Sequence, residues 1–254
     1  MIDASDSMLT PLSGREKEDL RPVTGDGAAP RDRLPWDRIK NRFDLAREYL
    51  RQSIMALDKS HVFTVVLFGT KAKLLASTPG LVAANPKRIK KVMRELDAIE
   101  PGPEIEDRPH GTLLGRTNLH GAMDRAFRVK DKGLMKLSKG AYASLDMLTK
   151  GCDTIFLLSD GVPSWDDYAA DDRRDPEDHA GDPELGKRLD DEKVLNYYGP
   201  YVEWNGYLVD DVRRMNLLRG VEIHCIGIGE ADMALLRRIA AAGIGDSKQI
   251  PAED

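Results

Sequence analysis

Apolar residues fall along this chain in two alternating rhythms. Ile39, Phe43, Ala46, Leu50, Ile54 and Leu57 are spaced by three and four, which predicts an amphipathic helix from about Trp36 to Leu57. Phe63 to Phe68 is an unbroken β-branched and aromatic run, the pattern of a buried strand. Ala72 to Ser77 follows as an antiparallel edge strand. Helix returns from Pro86 to Leu96, with Asn85 as its cap and Ile89, Met93 and Leu96 inward. Further helices are expected from Leu119 to Val129, Ser138 to Thr149, Gly206 to Leu218 and Ala231 to Ala242. Further buried strands are expected from Thr154 to Ser159 and Val221 to Ile228.

Strands alternating with helices indicate an α/β fold, doubly wound, with a mostly parallel central sheet and helices on both faces. Met1 and Ile2 read as the tail of a truncated first strand, and Lys248-Gln249-Ile250 as the opening of a last one. A central strand cut to two residues leaves neighbouring edges unpaired, so residues 1–254 are expected to be one domain of a longer protein. Two stretches break the rhythm. Residues 9–37 are rich in Pro and Gly; residues 162–205 carry a strongly acidic stretch, then Tyr197, Tyr198, Tyr201 and Trp204. Loops this long usually have a function or lack order. The aromatic cluster is either a rim that anchors a partner or a loop packing its own rings.

Composition narrows the functions available. At 41% hydrophobic and 32% charged residues the chain can build a core, and its net charge of -5 argues against nucleic-acid binding, which needs a basic face. No apolar run is long enough to span a membrane. Cys152 and Cys225 sit at different heights on adjacent strands, too far apart to be joined, and are expected to stay reduced. Lacking a signal in either direction, the compartment stays open.

The candidate chemistry lies at strand ends. Asp3, Ser5 and Ser7 alternate through a turn, so a carboxylate and two hydroxyls can converge on one point. Hard oxygen donors of this kind suit Mg²⁺, Mn²⁺ or Ca²⁺. Thr117 lies in Gly115-Arg116-Thr117-Asn118-Leu119, just before a helix, and Asp160 in Leu158-Ser159-Asp160-Gly161, where a strand breaks. Asp-x-Ser-x-Ser, a Thr about a hundred residues on, and a strand ending in Asp-Gly together resemble the von Willebrand factor type A (vWA) domain and its metal-ion-dependent adhesion site, or MIDAS. The resemblance implies a metal set of Asp3, Ser5, Ser7, Thr117 and Asp160. It also implies a non-enzymatic role: a partner protein's Asp or Glu carboxylate completes the coordination of the ion. Asp6 stands where a Gly is commoner and is read as facing water.

Other readings weigh less. A regulatory module of an ATPase-driven complex is the alternative, as some relatives of that family serve. A Mg-dependent phosphohydrolase with an aspartate nucleophile needs a second Asp two residues after Asp3, where Ser5 stands. Gly111 to Thr117 lacks the spacing and the Lys of a phosphate-binding loop. The histidines show no metal-ligand spacing. His120, near Thr117, is read as a helix-surface residue or a support to the site.

Overall fold

The computed structural model describes residues 1–12, 34–106, 111, 115–137, 146, 149–167, 201 and 206–250. The strands are β1 (Ile2–Asp3), β2 (Val62–Phe63), β3 (Val66–Phe68), β4 (Ala72–Leu74), β5 (Val82–Ala83), β6 (Thr154–Ser159), β7 (Glu222–Ile228) and β8 (Ser247–Ile250). The helices are α1 (Arg42–Met55), α2 (Pro86–Asp97), α3 (Leu119–Arg128), α4 (Tyr207–Asn216) and α5 (Met233–Ala242). Six strands form the main sheet in the order β4-β3-β1-β6-β7-β8, parallel except for β4.

Parallel strands are buried on both sides, and here successive residues of one strand feed opposite cores. Phe68, Ile155, Leu157, Ile223 and Cys225 face α3, α4 and α5, packing with Met123, Phe127, Val212, Leu236 and Ile239. Ile2, Leu67, Leu158 and Ile228 face α1 and α2, packing with Phe43, Leu50, Val92 and Leu96. The expected doubly wound architecture is the one observed.

Two expectations about individual elements need correction. The long run before Phe68 splits. Val65 donates its N–H to Thr78 Oγ1 (3.1 Å) instead of continuing the ladder, so Val62–Phe63 pairs with β5 in a separate two-stranded sheet. Helix α1 starts at Arg42, six residues later than its periodicity suggests. Asn41 Oδ1 accepts the N–H of Asp44 (2.8 Å), and Asp44 Oδ2 accepts the N–H of Lys40, the residue before the cap (3.0 Å); together they fix the first turn. The expected last strand is present as β8, four residues long and paired with β7 along that length. The helix expected over 138–149 falls mostly outside the described residues.

Short as it is, β1 is held on both sides. Ile2 is level with Leu67 and Leu158, and the Met1 amine donates to the carbonyl of Phe156. The chain leaves β1 toward β3 on one side and β6 on the other, and such a switch point opens a crevice at the carboxyl ends of the strands. Cys152 and Cys225 are both free; Cys225 is level with Leu157, five positions along β6 from Cys152. Burial pushes the Cys225 thiol up to about 12 and raises that of Cys152, which disfavours the thiolate form at both. Among the described residues no helix is long and apolar enough to cross a membrane.

Candidate functional site

At the end of β1, Asp3 is fully buried. Its Oδ1 accepts the N–H of Ser5 (2.9 Å) and its Oδ2 accepts the hydroxyl of Ser159 (2.6 Å). Ser5 then caps a 3-10 turn, Asp6–Leu9, whose curl brings Ser7 Oγ to 3.1 Å from Ser5 Oγ. Two residues apart in an extended strand, these hydroxyls would lie much further from each other; the turn makes them neighbours.

Thr117 comes from the loop before α3 and is pinned by its backbone. Its N–H donates to Ser164 Oγ (2.9 Å), and its carbonyl accepts the Ser164 N–H (2.9 Å). On either side, Arg116 N–H donates to Thr70 Oγ1 (3.1 Å) and Asn118 N–H to the Gly69 carbonyl (3.0 Å). The loop also touches the serine turn, for Asp6 N–H donates to the Gly115 carbonyl (2.9 Å). A Cβ at Gly115 would lie 2.1 Å from the Asp6 carboxylate, so a larger residue there would require the exposed Asp6 side chain to move aside.

Asp160 follows β6. The Ser7 hydroxyl donates to its carboxylate, and Arg42 Nη1 stands 3.8 Å from its Oδ2. Its Oδ1 is out of solvent and has no hydrogen-bond partner among the described residues. An unsatisfied buried carboxylate oxygen is costly and marks a place where a water or a cation belongs. Ser7, Thr117 and Asp160 line one cleft of about 630 Å³, together with Asp6, Arg42, Arg116, Ser164 and Glu230; Ser5 is bonded to Ser7, and Asp3 to Ser5 and to Ser159 next to Asp160. Three of the five sequence-predicted side chains, Ser7, Thr117 and Asp160, therefore line the same cleft, and the other two join it through hydrogen bonds. A larger, mostly apolar hollow of about 840 Å³ beside Met55 and Ile89 is lined also by Lys59, Ser60, Lys90 and Asp58, the last already bonded to Ser60 and His61.

Burial, and then the charge of Asp160, push the Asp3 carboxyl up to about 7. Burial also raises Asp160, against the Ser7 hydrogen bond and the Arg42 charge. Two carboxylates excluded from water raise one another's proton affinity, and a positive charge placed between them relieves both. Among the described residues no three His, Cys, Asp or Glu side chains converge. The donor set is two carboxylates and three hydroxyls, which fits a hard cation and not zinc.

Some residues stand elsewhere than expected. Tyr201 is no rim residue. It is buried, stacks on His120 with ring centroids 4.1 Å apart, and donates its hydroxyl to Asp211 Oδ2 (2.8 Å). His120 is accordingly neither on a helix surface nor at the cleft; it fills the seam between α3 and α4, with Nε2 3.5 Å from Asp211. Tyr197, Tyr198 and Trp204 lie outside the described residues. Asp6 is exposed at the cleft edge. Sequence reasoning missed Ser159, Ser164 and Arg42. Ser159 was readable from its place beside Asp160 at a strand end; Arg42 and Ser164 reach the site only through tertiary packing.

No protein-family model and no curated protein matches this sequence. Solved structures do match. A von Willebrand factor type A structure from Catenulispora acidiphila aligns with 100% of this chain at 17% identity and TM-score 0.48; the chain spans 37% of that protein. The conserved hypothetical protein BatB from Bacteroides thetaiotaomicron aligns with 99% of this chain and 88% of its own at 12% identity and TM-score 0.50. The vWF domain of the type V pili tip protein Mfa5 from Porphyromonas gingivalis aligns with 98% and 88% at 12% identity and TM-score 0.44. The likeness to BatB is one of fold, and it agrees with the doubly wound sheet described above.

Proposed function

We propose that this chain is a divalent-cation-dependent protein-binding module, with a site of the MIDAS type formed by Asp3, Ser5, Ser7, Thr117 and Asp160. The observation that supports this reading is a cleft lined by Ser7, Thr117 and Asp160, with Ser5 bonded to Ser7, buried Asp3 bonded to Ser5, and Asp160 Oδ1 left without a partner among the described residues. A bound Mg²⁺ or Mn²⁺ supplies a positive centre that neutral hydroxyls leave under-compensated, and that an Asp or Glu carboxylate from a partner protein completes. Ser5 and Ser7 present hydroxyl oxygens from a single turn. Thr117 presents a third from a loop whose backbone is fixed at both ends. Asp3 holds the turn through Ser5 and ties it to β6 through Ser159. Asp160 closes the set from the opposite strand. The role needs no nucleophile and no general base.

Titration calorimetry with Mg²⁺, Mn²⁺ and Ca²⁺ tests the reading directly. One ion per chain is expected, weakened about tenfold or more by Thr117→Ala and abolished by Asp160→Ala. Absence of binding by the intact protein, or binding indifferent to Asp160→Ala, overturns it.

A further inference from the structure

Arg42 opens α1, and its guanidinium enters the same cleft. The residue is only 9% exposed. Nη1 lies 3.8 Å from Asp160 Oδ2 and Nη2 lies 3.5 Å from Glu230 Oε2. Both distances exceed the ~2.8 Å of a strong charge-assisted bond. Its Nε is out of solvent and has no hydrogen-bond partner among the described residues. Gly229 packs over this side chain with φ +65, and a Cβ there would lie 2.4 Å from Nε. The absence of a side chain at Gly229 thus leaves room for the guanidinium, whose donors stay poorly used. Across the cleft, Asp160 Oδ1 is equally unsatisfied. Opposite charges buried without full bonding are a poor resting arrangement, and either partner gains by exchanging the other.

We propose that Arg42 is the resident counter-ion of the cleft: it neutralises Asp160 when no divalent ion is present and turns to Glu230 when one binds. This rests on the ion-binding reading above. The geometry sets the direction of the exchange. A divalent ion held by Asp160 repels a guanidinium this close, and Glu230 already touches Nη2 from the solvent side, its own side chain 93% exposed. The consequence is functional. An ion that must displace Arg42 binds weakly by itself, so ion and partner carboxylate are captured together.

Mn²⁺ titration of the wild type, Arg42→Gln, Glu230→Gln and the double variant tests the exchange. Arg42→Gln is expected to tighten ion binding about tenfold, because the competitor is gone. Glu230→Gln is expected to weaken it about threefold, because the displaced guanidinium has lost its acceptor. In the double variant, Glu230→Gln is expected to add nothing to Arg42→Gln. Ion binding by Arg42→Gln that is unchanged or weaker overturns the proposal, as do two effects that simply add, since additivity means a diffuse field and not an exchange. Should Arg42→Gln fail to fold, the exposed Glu230→Gln carries the test, and unchanged affinity there overturns the proposal. A wild type that binds no ion overturns the function reading itself, a result distinct from all of these.

Discussion

Asp3 has no water to hold its charge. Its two oxygens are bonded to Ser5 and Ser159, yet burial and the neighbouring Asp160 still push its carboxyl up to about 7. The sign of the resulting pH dependence follows. In the metal-free protein the folded state binds this proton more tightly than the unfolded chain does. The stability this group contributes is therefore fullest in acid and is lost as pH rises from the ordinary value of 3.8 through about 7. Asp3→Asn removes the titrating charge while leaving a carbonyl oxygen for the Ser5 N–H. It is expected to flatten that slope, to raise metal-free stability at neutral pH by about 1 kcal/mol or more, and to abolish ion binding. Urea unfolding in chelator across this pH range, with and without the substitution, measures it; an unchanged slope in Asp3→Asn contradicts the assignment. His120 acts in the opposite sense. Burial lowers its pKa below 6.5, so its contribution is present above that value and is lost as pH falls below it. The carboxylate and hydroxyl donors were legible in sequence because their spacing through one turn is local. Arg42 was not, because it lies 118 positions from Asp160, and only the packing of α1 across the sheet joins them.

Helix α1 shows how a cap overrides periodicity. Its apolar stripe extends back through Ile39, which is buried, yet the helix begins only where Asn41 accepts the Asp44 N–H and Asp44 accepts that of Lys40. That start also orients the first helical residue, Arg42, whose N–H donates to the Thr10 carbonyl just past the serine turn (3.1 Å). Asn41→Ala is expected to destabilise the protein by about 1 kcal/mol. Chemical denaturation measures that loss, and a change near zero would mean that the bond between Arg42 and Thr10 suffices to set the start. Elements bounded by their own caps or turns were read closely: α2 with Asn85, β6 ending at Ser159, and α3 opening after Asn118. The division of the first long apolar run into β2 and β3 was not, because it depends on Thr78, fourteen residues beyond Thr64, accepting the Thr64 hydroxyl at its carbonyl (2.9 Å). Tyr201 belongs with that case. Its aromatic neighbours in sequence suggested a surface cluster, while its partners in space, His120 and Asp211, belong to α3 and α4.

Across the whole molecule, the candidate ligands come from three distant segments: the turn after β1, the loop before α3, and the end of β6. A cation held by all three cross-links the centre of the sheet at its shortest strand. In the unfolded chain these oxygens are dispersed, so the ion binds the native state alone and its binding energy appears as folding stability. An ion at a hundred times its dissociation constant is expected to add about 2.7 kcal/mol, rising by about 1.4 kcal/mol for each further decade of concentration. The denaturation midpoint should therefore climb with the logarithm of Mg²⁺ or Mn²⁺ concentration, at constant slope, because the surface exposed on unfolding does not change. Asp160→Asn keeps the shape of the side chain and removes its charge, and should leave the midpoint independent of the ion. Glu230→Gln, on the rim, should keep the climb but shift it to higher concentration. A wild-type midpoint that ignores both ions, or an Asp160→Asn midpoint that still follows them, would place any bound cation away from this cleft.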